Sequence, residues 1–229
     1  MSFMQNDFDI ILFRFRHKNR ISIMASDFTN QPLLGKEIIK LFCIGKVDIH
    51  MCSFIVKKSV LDKNQILFVE QAKYGEDHEF IMKTLFHSNK GIMIQDALFN
   101  YVYRKSSVVN TFSYHRLDSL QSANRLISYI EERDSKNMLS SYMVLYLLGK
   151  CRYNLYCAVQ YNVNNDLKDK LLQQIRVFSK KSMSLNFIKE LSLSDNFKNF
   201  IKIILIRDLT YPYFNYLTLK QNIKFYLKS

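Results

Sequence analysis

Apolar positions change their spacing near residue 113. Before it they come in short runs. Phe8-Asp9-Ile10-Ile11-Leu12-Phe13-Arg14-Phe15 is a β-rich apolar run that reads as a buried strand. Arg20–Met24 reads as a second strand after the polar turn His17–Asn19. Met51–Val56, Gly91–Ile94 and Leu98–Tyr103 are also strand-like. Between them, Ile38, Ile39, Leu41 and Phe42 fall close to helical spacing, with Gly45 as the stop, and a short helix is expected near Ser59–Lys63. From His115 the spacing is three or four residues: Leu117, Leu120, Ala123, Leu126, Ile127, Ile130. Ser140–Tyr156, Leu167–Phe178, Leu185–Leu191 and Phe197–Ile206 continue as helices, with breaks at Asn162–Asp166 and Ser192–Asp195. The reading is α/β, a mixed sheet with helices over 1–112, followed by an α-helical region over 113–229.

One stretch in the first half carries concentrated chemistry. Lys73-Tyr74-Gly75-Glu76-Asp77-His78-Glu79-Phe80-Ile81 places three carboxylates and a histidine within four residues, directly after a glycine. Phe80, Ile81, Thr84 and Leu85 then follow at helical spacing. Gly75 therefore reads as a turn and Glu76–Glu79 as the first turn of a helix. Unpaired backbone N–H groups and the helix dipole favour carboxylates there. The same feature is met in many purely structural helices. Tyr74 and Phe80 read as packing residues of this turn.

The segment Val69–Phe80 resembles the acid-pair segment of family 2 glycosyltransferases, inverting enzymes of the GT-A type, many of which build bacterial capsules and lipopolysaccharides. In that family an extended stretch and a Tyr-Gly-Glu-Asp-like turn lead into a helix. A strand hairpin follows and ends in a Tyr-x-Arg-like run, matched here by Gly91–Arg104. The resemblance runs from about Phe8 to about Asn110. It implies a partial GT-A domain over 1–112, the acceptor-side half, that transfers a sugar from a nucleotide-sugar donor to a saccharide or lipid-linked acceptor. Asp77 would be the catalytic base with Glu76 beside it, and Arg104 with Tyr103 would bind substrate; Lys105 and Ser106 match more weakly. The family's divalent metal, Mg or Mn, is held by an Asp-x-Asp motif that follows a strand. Asp7 and Asp9 have that spacing but precede a strand, and they read as its start. No Gly-rich nucleotide turn is found in the first fifty residues. The nucleotide-binding front half is thus expected to be missing, and the chain alone to be weak or inactive as a hexosyltransferase.

Charge adds a second reading. The net charge is +13. Residues 1–100 hold 13 Lys+Arg and 11 Asp+Glu, a net of +2, so residues 101–229 carry the remaining +11. Phe197, Phe200, Ile201 and Ile204 share one helical face, Lys198 and Lys202 another, and Tyr211-Pro212-Tyr213-Phe214 with Tyr216 follows. This pattern suits either a docking helix or in-plane contact with a membrane surface through 197–216. It supports the alternative of a non-catalytic membrane or interaction module. No nucleic-acid motif is found. No apolar run approaches the ~18–20 residues of a membrane span, and Met1–Asp9 lacks the pattern of a signal peptide. Cys43, Cys52, Cys151 and Cys157 form no Cys-x-x-Cys and read as reduced thiols. The expected location is cytoplasmic, with peripheral contact on the inner face of the membrane under the second reading. His78 and His115 are candidate metal ligands, but a lone histidine is more often a surface or packed residue.

Overall fold

The computed structural model describes residues 7–102, 113–136, 138–182 and 212–218. Its order is β1 (Ile10–His17), β2 (Arg20–Ile21), β3 (Pro32–Leu33), α1 (Gly35–Cys43), β4 (Phe54–Val56), α2 (Lys58–Lys63), α3 (Glu76–His87), β5 (Gly91–Tyr101), α4 (Asp118–Arg133), α5 (Ser140–Gln160) and α6 (Asn165–Ser182). The five strands form one sheet in the order β2-β1-β5-β3, with β4 pairing β1. All the apolar runs expected as strands before residue 102 join it, as the α/β reading requires.

β1 and β5 are the centre of the sheet and run parallel, from Ile10 opposite Gly91 to His17 opposite Tyr101. β4 and β2 pair antiparallel with the two ends of β1, and β3 with the start of β5. Asp9 sits just before β1, and its Oδ2 accepts the backbone N–H groups of Asn89 and Lys90. Lys57 bonds the Asp7 carboxylate and lies 3.9 Å from that of Asp9. These two aspartates therefore fasten the start of a strand.

One expectation is overturned. Gly91–Tyr101 is a single strand of 11 residues, not a hairpin. The polar step Gln95-Asp96 reads as a turn in the sequence, but it is a bulge where the register against β1 shifts between Phe13 and Phe15. Gln95 Oε1 accepts a hydrogen bond from Arg14 Nη1 at 3.1 Å, which anchors the bulge to β1. Before the bulge Gly91–Ile94 is wholly buried; after it the residues alternate between half-buried and exposed.

The helices end as their sequences dictate. α1 stops in a left-handed glycine: Gly45 has φ +74°, its N–H bonds Phe42 C=O, and Lys46 N–H bonds Leu41 C=O. α1 lays Ile38, Ile39 and Leu41 on the same core as Ile81, Met82 and Leu85 of α3. α4 adds Leu120, Ala123, Leu126, Ile127 and Ile130, and α5 adds Met143, Leu147, Cys151 and Leu155. The core is one continuous cluster from Ile10 of β1 to Ile175 of α6, with Phe214 of the short helix at 212–218 also in it, so it crosses position 112 without a break.

A charged link joins α3 to α4. Glu79 is 1% exposed, yet its carboxylate accepts hydrogen bonds from Arg125 Nη2 at 2.8 Å and Nε at 3.2 Å, and from Lys83 Nζ at 2.8 Å. Burial pushes the Glu79 pKa up, but these bonds and charges overcome it and hold it below its ordinary 4.5. The carboxylate thus contributes stability above pH 4.5 that is lost as pH falls through the lowered folded value. Glu79→Ala is expected to cost about 2–3 kcal/mol in urea unfolding at pH 7, less than a fully buried pair because Arg125 is partly solvated. The loss should shrink as pH falls through the lowered folded pKa, below which the wild-type group is protonated in both states.

Candidate functional site

The acidic cluster opens onto a cavity of about 700 Å³, a size typical of small-molecule sites. Five pieces of chain build its walls: the 73–75 turn with the first turn of α3, the end of α1, Asp48 beyond it, the start of α4 with Arg116 before it, and one face of α5. Gly75 sets the geometry. It lies just before α3 with φ +86°, a left-handed conformation that glycine adopts without strain. A Cβ there would meet Ser119 Cα at 3.0 Å and Ser122 Cβ at 3.1 Å, so α4 also leaves no room for a side chain. Ser122 Oγ–H donates to Tyr74 C=O at 3.4 Å, and Lys73 N–H reaches Asp118 Oδ2 at 3.3 Å. The turn is held against α4 on both sides of the glycine.

The three carboxylates separate by role. Glu76 and Asp77 line the cavity, while Glu79 turns to Arg125 and Lys83. Asp77 Oδ1 accepts the His78 backbone N–H at 2.7 Å. Glu76 Oε2 is shut off from solvent with no hydrogen-bond partner. Burial raises the Glu76 pKa, and the Asp77 charge adds to the rise against the pull of its own backbone N–H and of Lys150.

The opposite wall is α5. Tyr146, Gly149, Lys150, Tyr153 and Asn154 recur at helical spacing and share one face towards the cavity. Lys150 Nζ lies over the Tyr146 ring at 5.3 Å, and its pKa is pushed down to about 8 by burial, against the attraction of Asp77 and Glu76. The Tyr146 hydroxyl is buried without a partner, and burial raises its pKa. Asn154 Nδ2–H donates to Ser119 Oγ at 2.9 Å, which fixes α5 against the start of α4. Arg116, only 3% exposed, stacks its guanidinium 5.3 Å from the Tyr74 ring.

His78 also lines the cavity, with its ring 5.5 Å from Phe42 and 6.4 Å from Tyr146. Burial, with Lys150 nearby, lowers its pKa far below the usual value, so at neutral pH it is an uncharged ring. His115 contacts Lys73 Nζ at 3.1 Å. Among the described residues no three His, Cys, Asp or Glu side chains converge as metal ligands. Two adjacent carboxylates facing an ammonium are a poor host for Mg or Mn, because Lys150 already supplies positive charge there.

Tyr74 forms part of the cavity wall, whereas Phe80 stacks on Phe68 at 4.3 Å in the packing role expected of it. Tyr103, Arg104, Lys105 and Ser106 lie outside the described residues, as do 197–211. Phe214 is buried in the core and Tyr216 is exposed, so the aromatic residues of this stretch do not share one outward face. Among the described residues no helix is long and apolar enough to cross a membrane. A scan against protein-family models and a search of curated proteins return no match to this chain.

Sequence reasoning missed Lys150, Tyr146 and Arg116. The signal was present for the first two: a Tyr-x-x-x-Lys step within the helix expected over Ser140–Tyr156 puts a phenol and an ammonium on one face.

Two outcomes are expected. Gly75→Ala should lower Tm and broaden the amide signals of residues 73–79, since both φ and the contact with Ser119 forbid the methyl. Lys150→Met should raise Tm at pH 7 by about 2–4 °C, the size of a ~1 kcal/mol gain for a chain of this length. The sign follows from the lowered pKa. The unfolded chain holds the Lys150 proton up to about pH 10.5 and the folded chain only to about 8. Wild-type stability therefore rises from pH 8 to pH 10.5, and the advantage of Lys150→Met should fade over that range.

Proposed function

We propose that this cavity is the acceptor side of a sugar-transfer site and that Asp77 is its general base. The observation that carries the reading is the placement of Glu76 and Asp77, side by side, on the wall of a half-open cavity lined by Phe42, Tyr74, Tyr146 and Tyr153. Aromatic rings and ionised groups together suit a ligand with apolar C–H faces and many hydroxyls. The likeness of Val69–Phe80 to the acid-pair segment of family 2 glycosyltransferases supports the same assignment.

In this reading the acceptor hydroxyl attacks the anomeric carbon of a nucleotide sugar. The new C–O bond forms as the bond to the diphosphate breaks, and its electron pair leaves with the diphosphate. The hydroxyl proton passes to the Asp77 carboxylate. Asp77 stands in the first turn of α3, and Lys150 lines the same cavity. Glu76 stands beside the base and bonds the acceptor. Substrate binding by Arg104 and Tyr103 is assigned by resemblance alone. The sheet and helices supply a GT-A-like acceptor half in this proposal.

Transfer is measured by mass spectrometry after long incubation with nucleotide hexoses and a panel of disaccharide acceptors, with acceptor binding followed by saturation-transfer NMR. Asp77→Asn is expected to keep acceptor binding within about threefold and to lose transfer about 100-fold or more, the usual contribution of a general base. Equal transfer by Asp77→Asn and wild type would overturn the assignment, as would a wild-type protein that binds no saccharide. Slow turnover by the isolated chain is expected, because positioning of the donor supplies much of the rate.

A further inference from the structure

The cavity holds opposite charges apart. Lys150 projects from α5, and Glu76 and Asp77 stand on the start of α3, all three lining the same space. Their charges interact, yet among the described residues neither carboxylate forms an ion pair with Lys150. Nearby carboxylates do close such gaps: Glu79 meets both Lys83 and Arg125 at 2.8 Å. Two buried polar atoms of the same walls also lack partners, Glu76 Oε2 and the hydroxyl of Tyr146, a residue only 5% exposed. Unpaired buried polar atoms are costly and uncommon in native structures, and those of a binding site find their partners in the ligand.

The chemistry of the missing partner can be narrowed. A phosphate or carboxylate would suit Lys150 but would face two carboxylates across the cavity. An ammonium would suit Glu76 and Asp77 but would face Lys150. The remaining lining charges do not tip the balance, since Asp48 and the acid pair are matched in number by Lys73, Arg116 and Lys150. A hydroxyl group both donates and accepts, so adjacent hydroxyls can accept from Lys150 and Tyr146 while donating to Glu76. We infer that the cavity takes a neutral saccharide ring whose adjacent hydroxyls bridge Lys150, Tyr146 and Glu76, and that it discriminates against rings bearing an amine, carboxylate or phosphate. This rests on the sugar-transfer reading for the ligand's role as acceptor and adds its chemical class.

The test is a titration of the purified chain at pH 7, by calorimetry or saturation-transfer NMR, with methyl hexosides of the gluco, galacto and manno series. Each is compared with its 2-amino, uronate and 6-phosphate derivatives. At least one neutral hexoside is expected to bind about 10-fold more tightly than all three of its charged derivatives. Tyr146→Phe, which keeps the ring, should weaken that binding about 3–10-fold. Lys150→Met should weaken it similarly and should relax the discrimination against the amino sugar. A charged derivative that binds as tightly as its parent, or neutral binding unchanged in both variants, would overturn the inference and leave the sugar-transfer reading standing. Neutral binding as expected, with transfer indifferent to Asp77→Asn, would sink the transfer reading alone. Absence of binding by any hexoside, neutral or charged, would end both.

Discussion

The contact on which the site depends is the docking of α3 against α4. It has an apolar part, in which Ile81 and Leu85 share the core with Leu120 and Ala123. Apolar contact alone fixes position loosely, because methyl groups slide with little loss. The polar part removes that freedom. Glu79 accepts from the Nη2 and Nε of Arg125, Arg125 Nη2 also donates to Ser122 Oγ at 2.7 Å, and Ser122 Oγ donates to Tyr74 C=O. The chain of bonds runs from the body of α3 through α4 to the turn that starts α3. Gly75 stands inside that loop, where any Cβ would strike α4. The direction in which Glu76 and Asp77 leave the backbone is therefore set by a closed circuit of contacts. A flexible turn would not hold it.

This arrangement explains why the acidic cluster is not one functional unit. Successive residues on a helix point about 100° apart, so a run of four covers the whole circumference. Glu76 and Asp77 reach the cavity, and Glu79 reaches α4. A carboxylate that anchors the helix and two that face the cavity are produced by the same short stretch. The anchor is satisfied with bonds from two cations; the other two form no ion pair among the described residues.

Much of the fold could be read from spacing. The strand-like runs, the helices at Gly35, Glu76, Leu117 and Ser140, the stop at Gly45 and the turn at Gly75 all rest on local rules of periodicity and glycine conformation, and local rules survive folding. The expected hairpin failed for a non-local reason. Gln95-Asp96 interrupts an apolar run in a way that a turn would, but Arg14 on the neighbouring strand accommodates it as a bulge, and a cross-strand partner is invisible in a linear reading. Half of the site was legible for the same reason. The acid pair lies in one contiguous motif. Arg116, Tyr146 and Lys150 lie 39 or more residues beyond the acid pair, and only the packing of α4 and α5 on α1 and α3 brings them to the same cavity.

The opposing charges also bear on why the cavity stays open. An ammonium and two carboxylates attract across any gap, and flexible side chains would close it. Here α5 is fixed to the start of α4 by Asn154 and Ser119, and α3 is fixed to the same helix by Arg125 and Glu79. Both walls are therefore referenced to α4, which cannot follow either of them inward. Lys150 lies along the Tyr146 ring instead of reaching the acid pair. The lowered Lys150 pKa and the raised Glu76 pKa have the same first cause: both groups are half-buried, and the opposite charge across the cavity does not offset the lost solvation. Folding alone would relieve it by an apolar residue at position 150. Its persistence in the structure is what a site shaped for a polar ligand requires, since groups satisfied by their own protein have nothing left to offer one.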